Sequence, residues 1–262
     1  MFLLSVAGYD PSGGAGILLD LKVFALFKLK GGAVPTALTI QSTSVFKGWK
    51  PVDLDYFETC LSLVFSDLPV EGVKIGMLAT PDHVVILSDH LKKHRSKIKW
   101  IVLDPVLKAT LNYPLFHSET FLSCIKEKLL PLVDVLCPNF KEAEILAETS
   151  TNSPEILADR LMNYPLKALV ITGIEKNYRT GIFSCDYLFY RTNSRVIQKV
   201  VKKKKIKGDF HGTGCAFSSA LLCFLIKGFS PEHSFKKAKN WLYLYLKKAE
   251  REKVGGKLWL FL

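Results

Sequence analysis

The chain carries 262 residues, 48 % of them hydrophobic, with 36 Lys+Arg against 24 Asp+Glu for a formal charge of +12. That apolar share is enough for a sizeable core, while the absence of any uncharged apolar run of ~18 residues excludes a membrane-spanning helix. Six scattered cysteines, without a C-x-x-C pair or zinc-ligand spacing, read as reduced thiols, and an N-terminus without a basic region leads us to expect the cytoplasm rather than secretion.

In chain order, FLLSVAG (2–8) reads as a buried strand and about 14–27 as a helix. AVPTALTIQ (33–41) is a second strand, 53–68 has helical apolar spacing, and EGVKIGM (71–77) is strand-like. A helix over 81–94 precedes the strong strand WIVLDPV (100–106). VDVLCPN (133–139) follows a helix, and KALVITGI (167–174) is another strand. The segments 181–192 and 195–203 predict a late hairpin, and helices over about 213–227 and 231–251 close the chain. Strand–helix alternation of this kind predicts α/β architecture, a mostly parallel sheet with helices on both faces. No linker, repeat or break in composition divides it, so one domain over 1–262 is expected.

Polar and glycine residues gather just past the strand ends: GYDPSGGAG (8–16), Gln41, Gly76–Met77, Asp104–Pro105, Asn139 and Thr172–Gly173. In open α/β sheets ligands bind at that edge, so these ends form one candidate site. HGTGC (211–215) opens a helix, whose unpaired N–H groups and positive dipole end suit a phosphate or oxyanion. In the same field the Cys215 thiol is expected below its free value of ~8.5, available as base or nucleophile. The loop 8–16 is neither a dinucleotide fingerprint nor a Walker P-loop. Asp104 and Glu142 supply carboxylates at two strand ends, and Mg²⁺ favours one or two carboxylates completed by phosphates and water. Asn139 and Glu142, three apart, can share a helix face; the plainer alternative is a strand-end Asp104 and a helix-capping Asn139.

Basic residues concentrate in RVIQKVVKKKKIKGDF (195–210) and in 236–253. Both fit solvated faces, and Trp241, Tyr243 and Tyr245 sit among apolar residues as core, so no nucleic-acid surface is expected. Lys202–Lys205 instead suit attraction of a polyphosphate.

The segments SVAGYDPSGGAGILLDLKVF (5–24), TALTIQST (36–43), VKIGML (73–78), VLDPVL (102–107), CPNFKEAEIL (137–146), VITG (170–173) and HGTGCAFSSAL (211–221), in this order, resemble the hydroxymethylpyrimidine/phosphomethylpyrimidine kinases of thiamine biosynthesis, in the ribokinase-like superfamily. The resemblance implies a three-layer αβα sandwich and two ATP- and Mg²⁺-dependent phosphorylations, of an aminopyrimidine alcohol and then of its monophosphate. It implies that Gln41 bonds the pyrimidine edge and that Ala15, Met77 and Val106 wall the ring. It implies an anion hole at Gly212, Thr213 and Gly214, with Cys215 at the base position. Asp104, Asn139 and Glu142 fall at the Mg²⁺ and phosphate end, with Glu142 acting through water, and Thr172 and Gly173 on the ATP side. A homodimer without nucleic-acid or membrane partners is also implied. The chain departs from the family pattern at Tyr9, Leu18–Leu19, Ser42, the stretch 107–114 (including Lys108–Ala109) and Asp209–Phe210. A pyridoxal kinase is the alternative within the superfamily, and a His211–Cys215 thiol dyad is an alternative of another class.

Overall fold

A computed structural model describes the chain except residues 43–44, 108–118, 194, 209, 250–252, 255–256 and 260–262, with backbone only at 253–254 and 257–259. The departures at Lys108–Ala109 and Asp209 lie outside that description.

A nine-stranded sheet runs in the order β3-β2-β1-β4-β5-β6-β7-β8-β9. Its centre is parallel: β1 (Phe2–Tyr9), β2 (Lys30–Gln41), β4 (Val70–Ile75), β5 (Trp100–Leu103), β6 (Val135–Leu136) and β7 (Ala168–Tyr178). The edges are antiparallel: β3 (Phe46–Pro51) on β2, and β8 (Gly181–Arg191) and β9 (Val196–Lys204) beyond β7. The late hairpin is therefore part of a three-strand meander. Unforeseen β3 reads FKGWKP, with no alternation and a proline that only an edge strand tolerates. A small second sheet joins β10 (Phe210–His211) to β12 (Lys257–Trp259), which pairs with β11 (Lys253–Val254).

Strand residues alternate between two cores. Leu4, Val6, Ile101, Leu103 and Leu136 pack with α2 (Leu54–Asp67), α3 (Pro81–His94), α4 (Glu119–Cys124), α5 (Phe140–Ala147) and α6 (Pro154–Leu161). Leu3, Val102 and Val135 pack on the other face with α1 (Gly16–Leu26), α7 (Thr213–Ile226) and α8 (Pro231–Ala249). Both sheet faces are covered, which is why the central strands read as unbroken apolar runs. The result is the expected αβα sandwich. β5 stops at Leu103, short of the predicted 106, because Pro105 has no N–H and the Asp104 N–H turns to the Ile75 carbonyl (2.8 Å).

After β1 the chain builds β2 and β3 on one side and β4 onward on the other. The strand order thus reverses between β1 and β4, opening a crevice past their C-terminal ends.

Candidate active site

A cleft of about 750 Å³ lies past the C-terminal ends of the parallel strands, and the residues to which the resemblance gives a site role line it: Ala15, Gln41, Met77, Asp104, Val106, Asn139, Glu142, Thr172, Gly173, Gly212, Thr213, Gly214 and Cys215.

One wall is the start of α7. Its N-cap is Gly212 in the left-handed region (φ 80°), with no side-chain cap, so the first N–H groups stay open. A Cβ on Gly212 would lie 1.8 Å from the Gly14 carbonyl oxygen, so the loop 10–16 and the start of α7 interlock through two glycines. Asp10 and His211 add a hydrogen bond across 201 residues, His211 Nε2 donating to Asp10 Oδ2 at 2.7 Å, both side chains buried. Burial works to raise the Asp10 carboxyl, but hydrogen bonds from His211 and Ser12 hold it below the usual range. No hydrogen bond joins His211 to Cys215 among the described residues, and the thiol's own hydrogen-bond partner is the Gly16 backbone, so the geometry does not pair the two as a dyad. The sequence showed Asp10 and His211 beside glycine loops but gave no hint that they meet.

Cys215 corrects an expectation. Burial opposes its thiolate most, Lys74 partly offsets that, and the nearby Asp104 and Asp20 oppose it further, so the thiol is pushed up to about 12 instead of down. The helix terminus is real, but two buried carboxylates and a low-dielectric wall outweigh it.

Opposite α7, Asp104 is buried and accepts from Ser218 Oγ at 3.0 Å. Burial raises its carboxyl, against Lys74 and the Ser218 hydrogen bond. Asn139 caps α5 in a reciprocal box: Asn139 Oδ1 accepts from the Glu142 N–H (3.0 Å), and Glu142 Oε2 from the Asn139 N–H (2.9 Å). The plainer reading of Asn139 thus holds at the same time as its place on the cleft. Glu142 Oε1 accepts from the Leu107 N–H at 3.3 Å. Burial, then the Asp104 charge, push Glu142 up to about 8. The folded state therefore holds this proton more tightly than the unfolded chain. Stability linked to Glu142 is full below about pH 4.5 and falls as pH rises towards 8. Glu142→Gln is expected to gain melting temperature relative to the parent between about pH 5 and pH 8; an equal difference at both pH values in thermal scans would refute this.

On the β7 side, Thr172 N donates to the Pro138 carbonyl (3.0 Å), and Gly173 (φ 77°) donates to Asp186 Oδ1 at 3.2 Å. Asp186 is ion-paired with Lys239, and both line the cleft, as do Lys203, Lys204, Lys205 and Tyr243. Tyr243 is thus a wall of the cleft, whereas Trp241 and Tyr245 pack against the second core as expected. Tyr243 was misread because its helix is amphipathic and the cleft abuts its apolar stripe. At the far end, Ala37, Met77 and Ala79 form a separate apolar cluster with Phe46, Trp49 and Val106, beside Gln41 at the end of β2. Phe46 and Trp49 belong to the edge strand that sequence pattern missed. A flat heteroaromatic ring fits such a chamber, with one amide to read its edge.

A sequence model of the phosphomethylpyrimidine kinase family matches residues 10–257. The hydroxymethylpyrimidine/phosphomethylpyrimidine kinase of Aquifex aeolicus is 34 % identical over 257 residues, 96 % of this chain and 96 % of that one. Among solved structures, a phosphomethylpyrimidine kinase from Clostridium difficile superposes with a TM-score of 0.78 at 26 % identity, covering 93 % of this chain and 98 % of that one. A pyridoxal kinase from Bacillus subtilis, solved as an ADP complex, gives 0.81 at 25 % identity, covering 94 % and 92 %.

Proposed function

The chain belongs to the phosphomethylpyrimidine kinase family, and on that premise we propose that it transfers the γ-phosphoryl group of ATP first to the hydroxymethyl oxygen of 4-amino-5-hydroxymethyl-2-methylpyrimidine and then to the phosphate of its monophosphate, in thiamine biosynthesis. One observation carries the reading: an apolar ring chamber with a single amide, Gln41, opens onto a glycine-flanked helix terminus faced by buried carboxylates. In this reading Ala15, Met77 and Val106 hold the ring and Gln41 reads its edge. The amides of Gly212, Thr213 and Gly214 hold the group in flight, where most of the catalytic effect of phosphoryl transfer resides. Thr172 and Gly173 lie along the nucleotide, and Cys215 faces the acceptor oxygen.

The donor set suits Mg²⁺. Among the described residues no cluster of three or more His, Cys, Asp or Glu is arranged to hold a metal by itself. Asp104 and Glu142, two buried carboxylates of which the Asp104 charge helps to raise Glu142, match a cation completed by phosphate oxygens and water. Bound there, Mg²⁺ would neutralise charge on the transferring phosphates, with Asn139 orienting Glu142. One domain over residues 1–262 carries the whole activity in this proposal.

The basic run belongs to the same reading. Lys203, Lys204 and Lys205 line the cleft mouth, and Lys202 and Lys203 lie over the rings of Tyr178 and Tyr243. These placements favour attraction of ATP over a nucleic-acid surface. Neutralising Lys202–Lys205 to Gln should raise the KM for ATP several-fold at low salt and less at high salt; equal KM values at both would dismiss the role. Six unpaired cysteines fit a cytoplasmic setting, and no helix among the described residues is long and apolar enough to cross a membrane. Exposed Leu38 and Ile40 on β2 support a homodimer.

The likeness to a pyridoxal kinase supplies a second reading, since pyridoxal is also a flat ring bearing a hydroxymethyl group. ATP consumption with Mg²⁺ against hydroxymethylpyrimidine, its monophosphate and pyridoxal separates the two. Turnover of both pyrimidines supports the main reading, and turnover of pyridoxal alone replaces it.

A further inference from the structure

Lys74 on β4 is fully buried, an expensive position for an ammonium. Its Nζ pairs with Asp20 Oδ2 on α1 at 3.1 Å and finds no well-directed hydrogen-bond acceptor among the described residues. The Asp20 oxygens are also taken by hydroxyls, Ser5 Oγ at 2.6 Å and Ser219 Oγ at 2.7 Å. The ammonium points along its strand towards the cleft, since a Cβ on Gly76 would lie 2.9 Å from Nζ. Just past it, Asp104 is tied to the same strand through the Ile75 carbonyl and grips α7 through Ser218. Asp20 grips α7 one residue later, through Ser219. Two buried carboxylates therefore hold the first two turns of α7, with one ammonium between them. The roles assigned above leave that ammonium without a task.

We propose that Lys74 is a positioning residue for phosphoryl transfer: anchored on Asp20, its buried charge balances Asp104 and fixes the field and the placement of the Gly212–Cys215 turn where the transferred group develops negative charge. Without it, Asp20, Asp104 and an incoming phosphoryl group stack like charges around one helix start, in a medium that screens them poorly. Lys74 need not touch the substrate, and no proton or bond passes through it. Burial opposes its charge, but the carboxylates of Asp20 and Asp104 outweigh burial, so the ammonium stays protonated. The inference rests on the kinase reading but not on which acceptor is used.

The test is the double variant Lys74→Met with Asp20→Asn, which removes the ion pair at near-constant volume, leaves no unpaired charge at position 20 and takes from Asp104 the charge that balanced it. Lys74→Met alone leaves Asp20 uncompensated and is expected to melt lower. Both are assayed with whichever acceptor, hydroxymethylpyrimidine or pyridoxal, the parent chain phosphorylates, so the substrate question is settled separately by the parent. The double variant should melt at or above the parent temperature, keep both KM values within about threefold, and lose kcat by at least about a hundredfold. A folded double variant with parental kcat would overturn the proposal. So would a loss of kcat that comes with raised KM values and a lowered melting temperature, because that pattern marks a packing role only.

Discussion

Gly212→Ala is expected to lower kcat by about 10²–10³, the typical loss when one preorganised anion donor is displaced. The reason is steric and local. The residue sits at φ 80°, where an L side chain costs on the order of 1–3 kcal/mol, and its Cβ would need the space held by the Gly14 carbonyl oxygen, 1.8 Å away. Neither backbone can yield alone, because Asp10 and His211 lock the two loops together beside the contact. The first turn of α7 must therefore shift, carrying the Thr213 and Gly214 amides off the transferred group. The KM for the pyrimidine should change little, because the ring chamber is built mainly by β2, β3 and the segments that follow β4 and β5. A Gly212→Ala enzyme with parental kcat would show that this turn does not hold the phosphoryl group. Gly214 makes an internal control: its added Cβ meets only the Asp104 carboxylate oxygens, at 3.6 and 3.8 Å, so alanine there should cost much less.

Cys215→Ala should separate the two phosphorylations. An alcohol must lose its proton, and a positioned base typically contributes about 10²–10⁴-fold. A phosphate acceptor is already ionised and needs positioning and charge neutralisation instead. Phosphorylation of the alcohol should thus fall by about 10²–10⁴ and that of the monophosphate by less than about tenfold. The half-buried thiol adds a pH signature. With its pKa pushed up to about 12, the thiolate is scarce at neutral pH and grows roughly tenfold per pH unit. The alcohol step should climb from about pH 7 to about pH 9 in the parent and stay flatter in Cys215→Ala. Equal losses in both steps, or an unchanged alcohol step, would remove Cys215 as the proton acceptor.

Sequence by itself determined the alternation that builds the sandwich, the continuous apolar runs of the doubly covered strands, and the polar residues at their ends. It also identified the glycine-led helix start at 212–215, because strand and helix periods and the demand for glycine at a positive φ are local properties. The boundaries of β5 and the edge strand β3 were not legible. Pro105, Gly48 and Pro51 blur the pattern, and an edge strand is chosen by the neighbour it finds. Only the tertiary structure decided that Asp10 meets His211 and that Tyr243 faces the cleft into which the strand ends converge. It likewise brought Lys74 and Asp20 beneath α7. The charge state of Cys215 belongs to this second group, and there the local inference had the wrong sign. A helix terminus can be read from a few consecutive residues, but a pKa depends on dielectric and on charges delivered by distant strands, here Asp104 and Asp20 against Lys74.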